Sequence, residues 1–225
     1  MFQKDYIMRM IEQFTTALAT IIGLKSADKI EEQQLVVNKA LYDFTGLSES
    51  AMETLSYKDL ISLVSGFKEI NPVKCFIMAE LMKEKADVFE RLGETDQAYN
   101  LYLKSFNIYV EVLLLNQSSE LDPNFITIDQ TINKIKQCPI PDETQKLLFH
   151  YYERIMNYDK AEDVLFERIN QSANNKVMQS EGIAFYERLL KIKPEELEKG
   201  NLPIDEVHDG LEKLQGWKNF QNILD

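Results

Sequence analysis

Residues 79–106, AELMKEKADVFERLGETDQAYNLYLKSF, and residues 142–169, DETQKLLFHYYERIMNYDKAEDVLFERI, carry one pattern twice, 63 residues apart. Aligned without gaps they share Glu80/Glu143, Lys83/Lys146, Glu90/Glu153, Arg91/Arg154, Asp96/Asp159 and Ala98/Ala161, with Phe89 against Tyr152. Each copy reads as two amphipathic helices joined by a tight turn. Self-similarity of this kind marks stacked supersecondary units, which bury a shared core and present a surface. The fold class that follows is all-α.

Outward from the repeat, the same periodicity continues. Tyr6, Ile7, Met10, Ile11, Phe14, Leu18, Ile21 and Ile22 fall at three- and four-residue spacings and predict a helix over 3–23, ended near Gly23. A second helix is expected at 27–44 before Gly46, then two short ones, 49–55 capped by Ser48 and 57–65 capped by Ser56. Asn71-Pro72 opens the first arm of the repeat, 73–92, since Pro is tolerated in a first helical turn. Helices at 96–116, 124–136, 142–156, 158–171 and 176–193 follow, with a break at Pro194, then 204–215 and 217–224. No segment sustains the two-residue alternation of a strand.

Composition narrows the function classes. The net charge of −12 argues against nucleic acid as a partner, because phosphate binding needs clustered Lys and Arg. It also disfavours anionic membrane surfaces. Lys4, Asp5, Arg9, Glu12 and Gln13 interrupt the apolar N-terminal residues, so no leader or span is expected and the chain reads as cytoplasmic. Cys75 and Cys138 form neither a disulfide framework nor a metal spacing. Cys75, beside Phe76 and Ile77, reads as an inert buried thiol, and Cys138, in the loop with Pro139 and Pro141, as the more exposed one. Residues 194–225 hold eight acidic and three basic side chains, an acidic solvated tail that Trp217 and Phe220 anchor.

The two copies resemble the tetratricopeptide repeat, a helix–turn–helix unit of about 34 residues. In the first, that family's small and aromatic positions fall on Ala86, Phe89, Gly93, Ala98, Tyr102 and Ser105. In the second, Tyr152, Ala161 and Leu165 match, while Phe149 stands where a small residue is usual and Met156 replaces the glycine. EGIAFYERLLKIKP at 181–194 is similar to the second helix of a third unit. The whole chain, most clearly MFQKDYIMRMIEQF, also looks like a family of uncharacterised bacterial cytosolic proteins. The resemblance implies an irregular, tetratricopeptide-like right-handed α-α solenoid with an N-terminal helical cap. The cap would cover 1–70, the helical hairpins 71–193 and the acidic helical tail 194–225, in one continuous structural unit.

The resemblance also implies a concave groove lined by the first helix of each unit. Its candidate ligand-binding residues are Lys83, Asp87 and Arg91 in the first copy and Lys146, His150 and Arg154 in the second. A peptide terminus or carboxylate could meet the basic ones, since Arg offers a bidentate fork. The plainer reading of Lys83–Asp87–Arg91 is a row of surface i,i+4 pairs. His150 reads as a packed or rim histidine, lacking a visible partner as a base. Asp205 and His208, three apart, could share a metal, but no second such motif accompanies them. No nucleophile elbow, phosphate loop, dinucleotide fingerprint or zinc-protease motif is present, so no cofactor and no catalysis are expected. The expected function is protein or peptide binding through the concave face. One alternative is a homo-oligomer pairing through its N-terminal amphipathic helices, favoured if their apolar stripe stays exposed. The other is a metal-dependent enzyme.

Overall fold

The computed structural model describes residues 2–67, 69–115, 128–171 and 175–224. Among them there are twelve helices and no strand. They are α1 (Phe2–Ser26), α2 (Ile30–Thr45), α3 (Glu49–Thr54), α4 (Tyr57–Val64), α5 (Pro72–Arg91), α6 (Thr95–Leu115) and α7 (Ile128–Ile135), then α8 (Asp142–Arg154), α9 (Tyr158–Gln171), α10 (Asn175–Leu189), α11 (Pro194–Lys199) and α12 (Ile204–Leu224). The chain falls into two compact units, Met1–Ile140 and Pro141–Asp225, and one copy of the repeat lies in each.

In the first unit α5 is the central helix. It packs against α1, α2, α4 and α6, and Cys75 to Ala86 are buried without interruption. Four of those buried residues, Glu80, Lys83, Glu84 and Lys85, are charged. A charge taken out of water needs a partner, because its desolvation outweighs any packing gain. Lys85 Nζ lies 2.5 Å from Glu49 Oε1 on α3. Lys104 on α6 donates to the Met52 and Glu53 carbonyls, at 2.9 and 2.6 Å, and so caps the open end of that short helix.

In the second unit α8 and α9 form the repeat hairpin, α10 packs on α9 and α12, and α11 on α12. The acidic tail is not simply solvated. Asp205, Glu206, Asp209 and Glu212 face water, while Leu197, Val207 and Leu214 are buried. Gly210 allows a close approach, for a Cβ there would sit 2.3 Å from the Tyr186 hydroxyl. Trp217 meets Phe166 edge-on with ring centroids 6.3 Å apart, and Lys213 Nζ lies over both rings. Phe220 lies outside the residues whose side chains are described.

The two repeat turns share one geometry. In the first, Gly93 adopts φ +81°, and the amides of Gly93 and Glu94 donate to the Glu90 and Phe89 carbonyls. In the second, Met156 adopts φ +58°, and the amides of Met156 and Asn157 donate to the Glu153 and Tyr152 carbonyls. This is a helix C-cap in the left-handed region, where glycine is the usual occupant. The aromatic and small positions match too: Phe89, Ala98 and Tyr102 are buried, as are Tyr152, Ala161 and Leu165.

Several boundaries differ from expectation. α1 runs through Gly23 to Ser26, and Asp28, at φ +59°, makes the turn. A single glycine inside a helix costs only about 1 kcal/mol, too little to end one that is packed. Pro194 does not merely break a helix: α10 ends at Leu189 and Pro194 opens α11 from its first turn. The expected pair 204–215 and 217–224 is one helix, α12. The start expected for α7, residues 124–127, lies outside the described residues. Finally, Asp5–Ser26 is long and apolar enough, by length and composition, to cross a membrane. Its mean hydropathy is 1.2 and 17% of its most apolar stretch is buried.

Candidate functional site

The repeat residues singled out on α5 converge on one cavity of about 270 Å³, entirely within the first unit. Lys83, Asp87 and Arg91 line it, joined by Glu90, by Lys25 of α1, Tyr102 of α6, and Gln130, Thr131 and Lys134 of α7. The i,i+4 spacing sets Lys83, Asp87 and Arg91 one above another on a single helical face. Four basic side chains and two carboxylates line the cavity, and Glu80, Glu84 and Asp28 pair with Lys83 and Arg91 from outside its lining.

Depth sorts these charges into an inner and an outer layer. At the inner end, Lys83 Nζ donates to Glu80 Oε1 at 2.5 Å and lies 3.0 Å from Glu84 Oε1. Burial pushes the Glu80 carboxyl up, against the pull of Lys83. Burial works against the charge on Lys83 as well, but Glu80 and Glu84 outweigh it and hold the ammonium protonated. Glu80 Oε2 and Gln33 Nε2 are buried with no hydrogen-bond partner.

Midway, Asp87 pairs with Lys25 and accepts from the Tyr102 hydroxyl. Tyr102 also donates to Glu90 Oε2 at 3.2 Å. Burial, then Asp87, raises its phenol far above the usual range. At the outer end, Lys134 Nζ reaches both Glu90 oxygens, at 2.7 and 2.6 Å. Arg91 forks, with Nη1 on Gln33 Oε1 at 2.7 Å and Nη2 on Asp28 Oδ1 at 2.5 Å. Asp28 is 87% exposed, which makes that last pair a surface one.

The second copy is arranged differently within its own unit. Lys146 and Arg154 are exposed. His150 is half-buried between two carboxylates, its Nδ1 3.8 Å from Glu153 Oε2 and its Nε2 3.5 Å from Glu181 Oε1. Glu153 and then Glu181 raise the imidazole above its ordinary 6.5, against burial. His150 first, and then Arg168 against burial, hold the Glu181 carboxyl down at about 2. Arg168, fully buried, reaches Glu181 at 2.8 Å and Asp142 at 3.3 Å, and Arg188 grips both oxygens of Glu153 at 2.7 and 2.9 Å. The cluster ties α8 and α9 to α10.

Cys75 is buried and Cys138 exposed. Burial pushes the Cys75 thiol up to about 11, outweighing Ser65 and Lys74. Asp205 and His208 are both exposed, and among the described residues no three His, Cys, Asp or Glu side chains are grouped to hold a metal ion. The cavity residues that sequence reasoning missed are Lys25, Gln130, Thr131 and Lys134. They come from helices distant in the chain, and no local motif marks them. Tyr102 carried a signal as a repeat aromatic, although for packing and not for its hydroxyl.

Fold and site together define an all-helical chain built from paired helices, with charge clusters matched across them. The family model of DUF6483, a family of unknown function, matches residues 1–219, and the chain belongs to that family. No curated protein matches it, and neither does any solved structure.

Proposed function

We propose that this is a non-catalytic, tetratricopeptide-like module that binds a protein or peptide through the α5 cavity of its first unit, taking a carboxylate of the ligand there. The observation that carries the reading is the ring of Lys25, Lys83, Arg91 and Lys134 about one cavity in a chain of net charge −12. The matched left-handed turns at Gly93 and Met156 support the tetratricopeptide-like part of it.

The layering supplies a mechanism. The outer pairs, Lys134–Glu90 and Arg91–Asp28, are solvent-accessible, and such pairs contribute about 0–1 kcal/mol. A ligand carboxylate can replace Glu90 or Asp28 at little cost. The bidentate geometry of Arg91 then favours a carboxylate over a neutral amide. The inner Lys83–Glu80–Glu84 group is buried and stays as the floor that holds α5 in register.

The test is capture of a pooled random peptide library with free carboxy-termini, against the same library amidated. Wild-type chain is compared with Arg91→Gln/Lys134→Gln. Enrichment from the free-acid pool, lost at least tenfold in the double variant while its helical spectrum is unchanged, is the expected result. Equal capture of both pools, equal capture by both proteins, or no enrichment at all would overturn the proposal.

A further inference from the structure

A second cavity in the first unit is lined by none of the α5 residues. It is a groove of about 760 Å³ between the first half of α1 and the second half of α2. Met10, Ala17, Val36, Ala40 and Phe44 give it an apolar floor, and Arg9, Lys39 and Asp43 stand at its rim. Tyr6 lines it and is 53% exposed. On α2, Leu35 and Tyr42 share a helical stripe with the rim residue Lys39 and are 71% and 62% exposed. Large apolar side chains left in water around an apolar groove are the mark of a surface that another molecule covers.

We propose that this groove is the interface between two copies of the chain, related by a twofold axis. Charge decides the occupant. Residues 1–45 hold five basic and six acidic side chains and so are nearly neutral, while the remainder of the chain carries almost all of the −12. A contact through this nearly neutral segment brings less like charge together than one through the acidic remainder. The rim is also self-complementary. Twofold symmetry sets residue i against j and j against i, so Arg9 of each copy can face Asp43 of the other.

A bilayer fits less well. Met10, Phe14 and Ile21 are already buried, and α1 packs on α2 and α5, so insertion would strip α1 from that core. A foreign acidic helix would satisfy Arg9 and Lys39 but leave Asp43 opposed.

The test is sedimentation velocity of the full chain from micromolar to hundreds of micromolar, for wild type, Arg9→Asp, Asp43→Arg and the double exchange. All these positions are exposed, and the exchange keeps the composition of the rim. The expected result is a concentration-dependent shift toward twice the 26.2 kDa chain mass. Each single reversal should weaken association at least tenfold, and the double exchange should restore it. A monomer at every concentration, a dimer indifferent to the single reversals, or failure of the double exchange to restore association would overturn the proposal. Flotation of wild-type chain with neutral lipid vesicles, abolishing the dimer, would also overturn it. None of these residues lines the α5 cavity, so the peptide-binding proposal stands or falls separately.

Discussion

Met156→Gly should stabilise the second unit, and Gly93→Ala should destabilise the first. Both residues end the first helix of a repeat with positive φ, +58° and +81°. The left-handed conformation costs a side-chain-bearing residue about 1–2 kcal/mol. Glycine escapes that cost but returns about 0.5–1 kcal/mol through the greater freedom of its unfolded chain. Met156 is 58% exposed, so its removal forfeits little burial. The turn is fixed independently of the side chain, because the amides of Tyr158 and Asp159 donate to the Gly200 carbonyl at 3.0 and 3.3 Å. The net gain from Met156→Gly is then about 0.5–1 kcal/mol. In a unit of this size that raises Tm by roughly 3–6 °C. At Gly93 a Cβ would meet nothing within 4 Å, so the opposite change is a pure backbone effect of similar size and reversed sign. Trp217, the chain's one tryptophan, lies in the second unit, and its fluorescence follows that unit's urea unfolding. Amide hydrogen exchange along α5 and α6 reads the first. A loss of stability in Met156→Gly, or none in Gly93→Ala, would refute the claim that the two turns are equivalent.

Gly210→Ala should destabilise the second unit by about 1–3 kcal/mol, because the new methyl would overlap the Tyr186 ring and hydroxyl; thermal unfolding by circular dichroism measures it. The His150 cluster makes stability depend on pH. Its raised imidazole contributes fully below 6.5 and loses that contribution as pH rises through the folded value. The lowered Glu181 contributes above 4.5 and loses it as pH falls toward about 2. Urea midpoints read by Trp217 should therefore fall between pH 6 and pH 8.5, and His150→Gln should flatten that slope. A thiol reagent should label one cysteine in the native chain, Cys138, and both after denaturation, given the burial and raised pKa of Cys75.

Local chemistry was legible in the sequence where one residue decides an outcome. Ser48 and Ser56 cap their helices as expected, accepting from the amides of Ala51 and Asp59, and α5 opens at Pro72 with Asn71 accepting from the Lys74 amide. Gly46 makes its left-handed stop. Gly23 and Gly216 misled because tertiary packing overrides a penalty of about 1 kcal/mol. Reading α5 was harder. Its charges recur around the whole helix, so periodicity cannot reveal that Glu80, Lys83, Glu84 and Lys85 are buried. Lys83 pairs with Glu80 and Glu84 inside α5, but Lys25 and Glu49, which meet Glu84 and Lys85, come from other helices and are set by the fold. The candidate cavity was half legible for the same reason. Lys83, Asp87 and Arg91 share a face by spacing alone, whereas Lys25, Gln130 and Lys134 arrive from other helices.

The measurement that tests peptide binding most directly is an amide chemical-shift titration of the isotope-labelled full chain with one captured free-acid peptide, then with its amidated form. Shifts concentrated at Asp87–Arg91 and Lys134 with the acid, and at least tenfold weaker with the amide, are the expected result. Shifts that map to other helices, or that are the same for both peptides, would contradict it.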